Sequence, residues 1–174
     1  CFGPVLGSMH AETLDEAIEW QNSTGYGLTG GIHTLDNDEI DYWLERVEVG
    51  NAYVNRGITG AIVQRQSFGG WKQSVMGPGA KAGGPNYVAQ FGTWADGPLR
   101  PFDADISQPV AAQLRGFERL GLSDEDTAWL WRAAELDQLA WQQEFGRAHD
   151  RAGLVCEANV FRYRPVLTPL QIRI

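Results

Sequence analysis

The residues best suited to chemistry lie in a glycine-rich stretch that runs from Asn51 to Pro85. Its first part, residues 55–62, reads NRGITGAI and offers backbone N–H groups around two glycines. Such groups suit a carboxylate or a phosphate, and Gly60 with Ala61 leaves room for a ligand to touch the main chain. A tight connection after a strand would use the same residues, so the pattern alone leaves both interpretations open.

Phe68 is the second candidate for ligand contact. It is followed by Gly69 and Gly70, which would let its ring project from a bend. The ring would then form either a ligand wall or a plug within the loop. Neither GxGxxG following a strand nor GxxxxGK followed by Ser or Thr occurs, so the usual phosphate-binding fingerprints do not apply.

No nucleophile with a neighbouring base can be assembled from these residues. Cys1 has no histidine or oxyanion-binding context, and Cys156 stands beside Glu157, whose charge disfavours a thiolate. His33 has no acidic or thiol partner at motif spacing and is interpreted as structural. Two cysteines rarely form a metal site, so the sequence predicts no catalytic residue and no metal ligand in this chain.

Composition narrows the classes of function. The 174 residues carry a formal net charge of -8 and only 14 scattered Lys and Arg, which excludes a nucleic-acid surface through this segment. No apolar run approaches the length of a membrane span, and two cysteines favour a reducing cytoplasm over a disulfide framework. The opening residues CFGP carry no initiator Met, so we expect a fragment of a longer protein.

The predicted elements around the loop alternate between strands and helices. Residues 4–9 predict a strand, Thr13 with Glu16 predicts a helix start of the capping-box type, and residues 27–34 predict a second strand. Residues 36–39 then cap a second helix, and residues 52–55 predict a third strand. This order predicts a parallel α/β sheet, in which ligands bind beyond the carboxyl ends of the strands.

The composition changes from Pro98 onwards, where prolines mark a connector and glycines become less frequent. We therefore predict two domains, residues 1–102 and 103–174. In the second, a short helix ending at Gly121 precedes a longer helix that Ser123 caps and that carries two apolar stripes. Two strand-like runs, residues 154–163 and 166–174, close the chain on either side of Pro165.

Several of these segments carry a family resemblance. Residues 2–6, 25–34, 50–63 and 66–70 are similar to the C-terminal third of an NAD-dependent aldehyde dehydrogenase, over roughly residues 1–95. Residues 59–63, 65–70 and 81–85 resemble the 1-pyrroline-5-carboxylate dehydrogenases, particularly those of bifunctional proline-utilisation enzymes. Residues 157–165 are similar to the segment that follows the dehydrogenase module in that group. The implied fold is α/β: the C-terminal part of the catalytic domain, with a parallel-type sheet and helices, then a helical segment and C-terminal strands.

The resemblance also implies roles for single residues. Gly60 and Ala61 would anchor the substrate's α-carboxylate through main-chain N–H groups, Phe68 would lie against its aliphatic part, and Phe2 would lie near the nicotinamide ribose. Ser67 departs from the family, where Pro is common, and this could alter the stiffness of the loop. The family's nucleophilic cysteine, general-base glutamate and dinucleotide-binding domain lie upstream of the matched region.

The implied reaction is oxidation of L-glutamate γ-semialdehyde to L-glutamate with NAD, in proline catabolism in the cytoplasm. FAD is expected only if the parent carries a proline dehydrogenase module outside this chain. The expected partners are the semialdehyde, the rest of the enzyme and further copies in a homo-oligomer, and the isolated chain should be inactive. The alternatives are a non-catalytic structural or oligomerisation module and, ranked last, a complete small anion-binding domain.

Overall fold

A computed structural model describes residues 3–63, 65–77, 79–95 and 104–165 of the chain. The chain forms two compact units, Cys1–Thr93 and Trp94–Ile174, built from helices and small sheets. The domain boundary predicted between residues 102 and 103 lies outside the described residues. No helix of the described part is long and apolar enough to cross a membrane.

Both helices of the first unit begin where their capping residues predict. Helix α1, Leu14–Asn22, starts after Thr13, whose Oγ1 accepts from the Glu16 backbone N–H at 3.2 Å. The Glu16 carboxylate in turn accepts from the backbone N–H of Glu12. Helix α2, Asn37–Arg46, starts after Asp36, which accepts from two backbone N–H groups of the first turn. These side chains satisfy N–H groups that have no partner within the helix.

The described residues of the first unit also form four short strands: β1, Tyr26–Gly27; β2, Thr29–Ile32; β3, Asn51–Val54; and β4, Trp71–Lys72. Strands β2 and β3 pair in parallel, with Gly30 opposite Ala52 and Ile32 opposite Val54. Strands β1 and β4 pair antiparallel. A 3-10 helix, Val88–Phe91, follows the glycine-rich stretch.

The core of the first unit lies between the two helices and one face of β2–β3. Ile18, Trp43 and Val47 are buried, and the indole N–H of Trp43 donates to Oε1 of Gln21 at 2.9 Å. The apolar side chains around them are half-buried: Leu14, Ile32, Tyr42, Leu44, Val49 and Val54. Because side chains alternate along a strand, Asn51 and Tyr53 face the other side, towards the glycine-rich loop.

The predicted strand at residues 4–9 is wrong. These residues form no strand, and Val5, Leu6 and Met9 are largely exposed. A strand requires a hydrogen-bonded neighbour, and no strand of the described part lies beside this segment. An extended apolar pattern without a partner therefore stays irregular.

The second unit is mainly helical. Helix α3, Gln108–Glu118, precedes Gly121, which adopts a positive φ of 82°. Helix α4, Asp124–Ala140, is capped by Ser123 and continues as a π-helix, Trp141–Phe145. Ala111 and Leu114 of α3 are buried, whereas no residue of α4, which is fully described, is buried.

Two short strands close the described part of the second unit. Strand β5, His149–Asp150, pairs antiparallel with β6, Val160–Phe161. The strand-like run at residues 154–163 is thus reduced to β6. The Asp150 carboxylate accepts from the backbone N–H groups of Asn159, Gly153 and Ala152, and these bonds hold its pKa below the ordinary value. The run at 166–174 lies outside the described residues.

Candidate functional site

The site begins at the carboxyl end of β3, where the chain turns away from the sheet. Asn55 adopts a left-handed backbone conformation, with φ of 54°. Its side-chain amide accepts from the Thr34 backbone N–H at 3.0 Å and donates to the Thr34 carbonyl at 2.9 Å. Asparagine tolerates this conformation better than most residues, and the two bonds fix the direction in which the loop leaves β3.

The candidate anion-binding turn follows directly. Gly60 is exposed, has a positive φ of 79°, and a Cβ placed on it would have nothing within 4 Å. The turn is closed behind it, because Oε1 of Gln66 accepts from the Ile62 backbone N–H at 3.0 Å and the Ile62 carbonyl accepts from the backbone N–H of Gln66 at 2.8 Å. Ala61, next to Gly60, is half-buried. The space at the Cβ position of Gly60 is thus open, and the turn that follows is held by the bonds between Ile62 and Gln66.

Phe68 lies just beyond this turn, on a segment with regular strand-like bonding. Its backbone N–H donates to the Ala82 carbonyl at 3.0 Å, and its carbonyl accepts from the Ala82 N–H at 2.9 Å. The side chain remains 41% exposed although the backbone is fixed. Of the two sequence interpretations, this exposure favours a wall over a plug, since a plug would be buried.

Asn51, the first residue of β3, holds the other edge of the Phe68 segment. Its side-chain Nδ2 donates to the Ser67 carbonyl at 3.1 Å, and its Oδ1 accepts from the Gly69 backbone N–H at 3.1 Å. No role for Asn51 was predicted from the sequence. Asparagine is disfavoured in β-strands, so its presence at the start of β3 was the one sequence signal of a special role.

Lys81 is a second residue whose role was not predicted from the sequence. Its Nζ donates to the carbonyl of Gly50, the residue before β3. Burial of the ammonium group lowers the pKa of Lys81 from 10.5 to about 8. Its aliphatic stem packs at Gly69, where an added Cβ would lie 2.9 Å from Cγ of Lys81. Lys81 therefore joins the loop to the sheet.

Tyr53 lies on the same face of β3 as Asn51 and is buried. Its hydroxyl has no hydrogen-bond partner among the described residues. The Arg56 guanidinium lies 5.1 Å from the ring centroid, within range of a cation–π interaction. At the strand pair itself, Ile58 covers Gly31, where a Cβ would lie 2.7 Å from Cγ2 of Ile58.

The structure thus places Gly60, Ala61 and Phe68 on one loop, with the Ile62–Gln66 turn between them. Phe2 and Cys1 lie outside the described residues. His33 is exposed, and Cys156 is an exposed free thiol of the second unit. Within residues 3–63, 65–77, 79–95 and 104–165, no group of three His, Cys, Asp or Glu side chains could hold a metal ion.

Comparison with known proteins shows the class to which this fold and loop belong. Residues 1–94 match the model of the aldehyde dehydrogenase family, and the chain belongs to that family. This match confirms the resemblance found in the sequence. The comparisons show the family fold in a partial form, with helices and small sheets.

Individual relatives narrow the class further. The 1-pyrroline-5-carboxylate dehydrogenase of Bacillus pumilus is 49% identical over 88 residues, which cover 51% of this chain and 17% of that protein. The enzyme of the same name from Bacillus cereus (strain B4264) shows the same identity and coverage. Proline utilization A from Corynebacterium freiburgense is 61% identical, with a TM-score of 0.81, over 95% of this chain and 16% of that one. The chain therefore spans about a sixth of the length of these relatives.

Proposed function

We propose that this chain is the substrate-anchoring part of a 1-pyrroline-5-carboxylate dehydrogenase, which oxidises L-glutamate γ-semialdehyde to L-glutamate with NAD. The observation that carries the proposal is the loop after β3, where an open glycine backbone and a half-exposed aromatic ring stand on fixed segments. The names of the similar proteins support the same substrate. Proline catabolism in the cytoplasm is the setting that follows from that activity.

The two halves of the substrate suit the two halves of the loop. In our proposal the backbone N–H groups of Gly60 and Ala61 bind the α-carboxylate, because only a residue without a large side chain lets the ligand approach the main chain. Phe68 packs against the methylene groups of the stem, where an apolar ring excludes water. Holding both ends fixes the aldehyde carbon, and such positioning accounts for a large share of many enzymatic rate accelerations.

When bound, NAD would supply the acceptor for the hydride that leaves the carbon being oxidised. By family resemblance, Phe2 is the one residue of this chain that we expect near the nicotinamide ribose of NAD. Phe2 lies outside the described residues. The nucleophilic cysteine and the general base belong, by family resemblance, to the rest of the enzyme. This chain holds the substrate still and contributes no reacting group. FAD belongs to the same protein only if it also carries a proline dehydrogenase module.

Substitution of Phe68 in the complete enzyme tests the proposal. Phe68→Ala should raise the KM for the semialdehyde about tenfold, as expected for loss of a large apolar contact, and leave the KM for NAD nearly unchanged. Phe91→Ala is the matched control, because Phe91 is an exposed phenylalanine of the same unit outside the loop. Equal changes in both KM values for Phe68→Ala would contradict the proposal.

A second role, in assembly, is favoured by one observation on α4. Trp129 is 68% exposed, and no residue of the two apolar stripes of this helix is buried. We propose that the complete enzyme is a homo-oligomer and that the exposed apolar side chains of α4 contact another copy. Trp129→Glu should reduce the mass measured by light scattering, and an unchanged mass would count against α4 as an assembly surface.

A further inference from the structure

We propose that Asn51 is a positioning residue for substrate binding, because it fixes the backbone that aims the Phe68 ring. The inference rests on the proposed function of Phe68 as the wall of the semialdehyde site. Asn51 touches the segment on both sides of that ring: it donates to the Ser67 carbonyl and accepts from the Gly69 N–H, each at 3.1 Å. Its partners lie 16 and 18 residues further along the chain.

The Asn51 amide acts as a substitute for a neighbouring strand. Along an extended segment, backbone groups point alternately to the two edges. The N–H and C=O of Phe68 point to one edge and bond to Ala82. The Ser67 C=O and Gly69 N–H point to the other edge, where the side chain of Asn51 offers one donor and one acceptor. The segment of residues 67–69 is thus hydrogen-bonded along both of its edges.

Burial makes this arrangement specific to asparagine. Asn51 is 8% exposed, so an amide without partners at this position would be costly. Both functional groups of its side chain are satisfied by the loop backbone. An aliphatic side chain would leave the Ser67 carbonyl and the Gly69 N–H without those bonds. Aspartate would keep the acceptor for Gly69 but lose the donor to Ser67.

A second contact shows that the loop is built directly on the start of β3. Gly50 precedes Asn51, and a Cβ added to Gly50 would lie 2.7 Å from the carbonyl carbon of Gly69. The two backbones are therefore in van der Waals contact beside the Asn51 amide. A change in the amide's hydrogen bonds is thereby transmitted to the Phe68 segment instead of being absorbed by an intervening layer.

The test uses the complete enzyme and a control with the same bonding pattern elsewhere. Asn22 also bridges two backbone groups, since it donates to the Arg46 carbonyl and accepts from the Glu48 N–H, each at 2.9 Å. Asn51→Ala should raise the KM for the semialdehyde about tenfold with little change in the KM for NAD. Asn22→Ala should lower the melting temperature by a similar amount and leave the semialdehyde KM within twofold.

Two further variants separate positioning from general destabilisation. Asn51→Asp has nearly the same size, so it keeps the test possible if the alanine variant fails to fold, and it should also raise the semialdehyde KM. In the double variant with Phe68→Ala, Asn51→Ala should add little to the KM, because Asn51 acts through the ring. A full additional increase would overturn this route.

The outcomes also distinguish this inference from the function on which it rests. If Phe68→Ala raises the semialdehyde KM while both Asn51 variants leave it within twofold, Asn51 has no positioning role and the proposed function stands. If Phe68→Ala leaves that KM unchanged, the proposed function fails and the inference fails with it. Selective increases for Asn51→Ala, Asn51→Asp and Phe68→Ala, with none for Asn22→Ala, would support both.

Discussion

The backbones of Gly50 and Gly69 lie in direct contact, although 19 positions separate the two residues in the numbering. A Cβ on Gly50 would overlap the Gly69 carbonyl oxygen and lie 2.7 Å from both its carbonyl carbon and the Cα of Gly70. All of these atoms belong to the backbone, so they cannot move aside as the end of a flexible side chain could. The segment that carries Phe68 is therefore fixed at the amino end of β3, while the turn at Gly60 follows the carboxyl end.

Gly50→Ala should therefore prevent stable folding of the first unit. The added methyl group meets backbone atoms, and separating them would break the Lys81 and Asn51 bonds that join loop and sheet. We expect loss of soluble complete enzyme, or a clear fall in its melting temperature. Gly57 lies beyond the carboxyl end of β3, and a Cβ added there would have nothing within 4 Å, so Gly57→Ala should behave nearly normally in the same stability assay.

Gly60→Ala should weaken recognition of the substrate's carboxylate. The positive φ of 79° strains any L-residue at this position, typically by about 1 kcal/mol. The KM for the semialdehyde should rise, whereas that for an aldehyde of equal length without the α-carboxylate should not. Gly77→Ala imposes a similar strain at φ of 64° with open space around it, so it controls for the backbone effect. Equal losses on both aldehydes would argue against an anion-binding turn.

Lys81 should make stability depend on pH in the alkaline range. Burial lowers its pKa from 10.5 to about 8, so between these values the unfolded chain holds a proton that the folded chain has released. Stability from this group should then rise with pH across that window. The melting temperature of the parent minus that of Lys81→Met should increase from pH 8 to 10.5. A constant or falling difference, or a pKa near 10.5 from competitive amine labelling, would contradict this expectation.

The caps of the second unit's two helices should differ in importance. Oγ of Ser123 accepts from the Asp126 backbone N–H at 3.1 Å, whereas Ser107 makes no side-chain cap bond at the start of α3. Ser123→Ala should therefore cost about 1 kcal/mol and speed hydrogen exchange in the first turn of α4. Ser107→Ala should leave exchange at the start of α3 almost unchanged. Equal effects would show that the observed bond has no special weight.

The helix starts could be predicted because their causes are local. Thr13, Asp36 and Ser123 each bond to a backbone N–H two or three residues ahead, so the determining groups stand side by side in the sequence. The Asn51 contacts could not be predicted in the same way. Their partners are 16 and 18 residues away, and nothing local shows which edge of the loop returns to β3.

Residues 4–9 show a case in which the residue pattern predicts a strand that does not form. Their residue types suit a strand, but a strand exists only when another backbone lies beside it. Among the described residues no such neighbour is present, and the segment is irregular. Residue pattern gives the tendency to extend, whereas hydrogen-bonded pairing is a property of the tertiary structure.

The family, the helix starts and the candidate anion-binding loop are all predictable from the sequence, because family motifs, caps and glycine spacing each lie within a few residues. The way in which that loop is held depends on contacts between residues that are far apart in the chain. The loop is held by the bonds of Asn51 to Ser67 and Gly69 and by the contact between the Gly50 and Gly69 backbones. The bond from Lys81 to the Gly50 carbonyl adds a further connection. Such contacts are not visible in the sequence, because a side-chain amide becomes a strand partner only when folding brings a distant backbone edge to within hydrogen-bond distance.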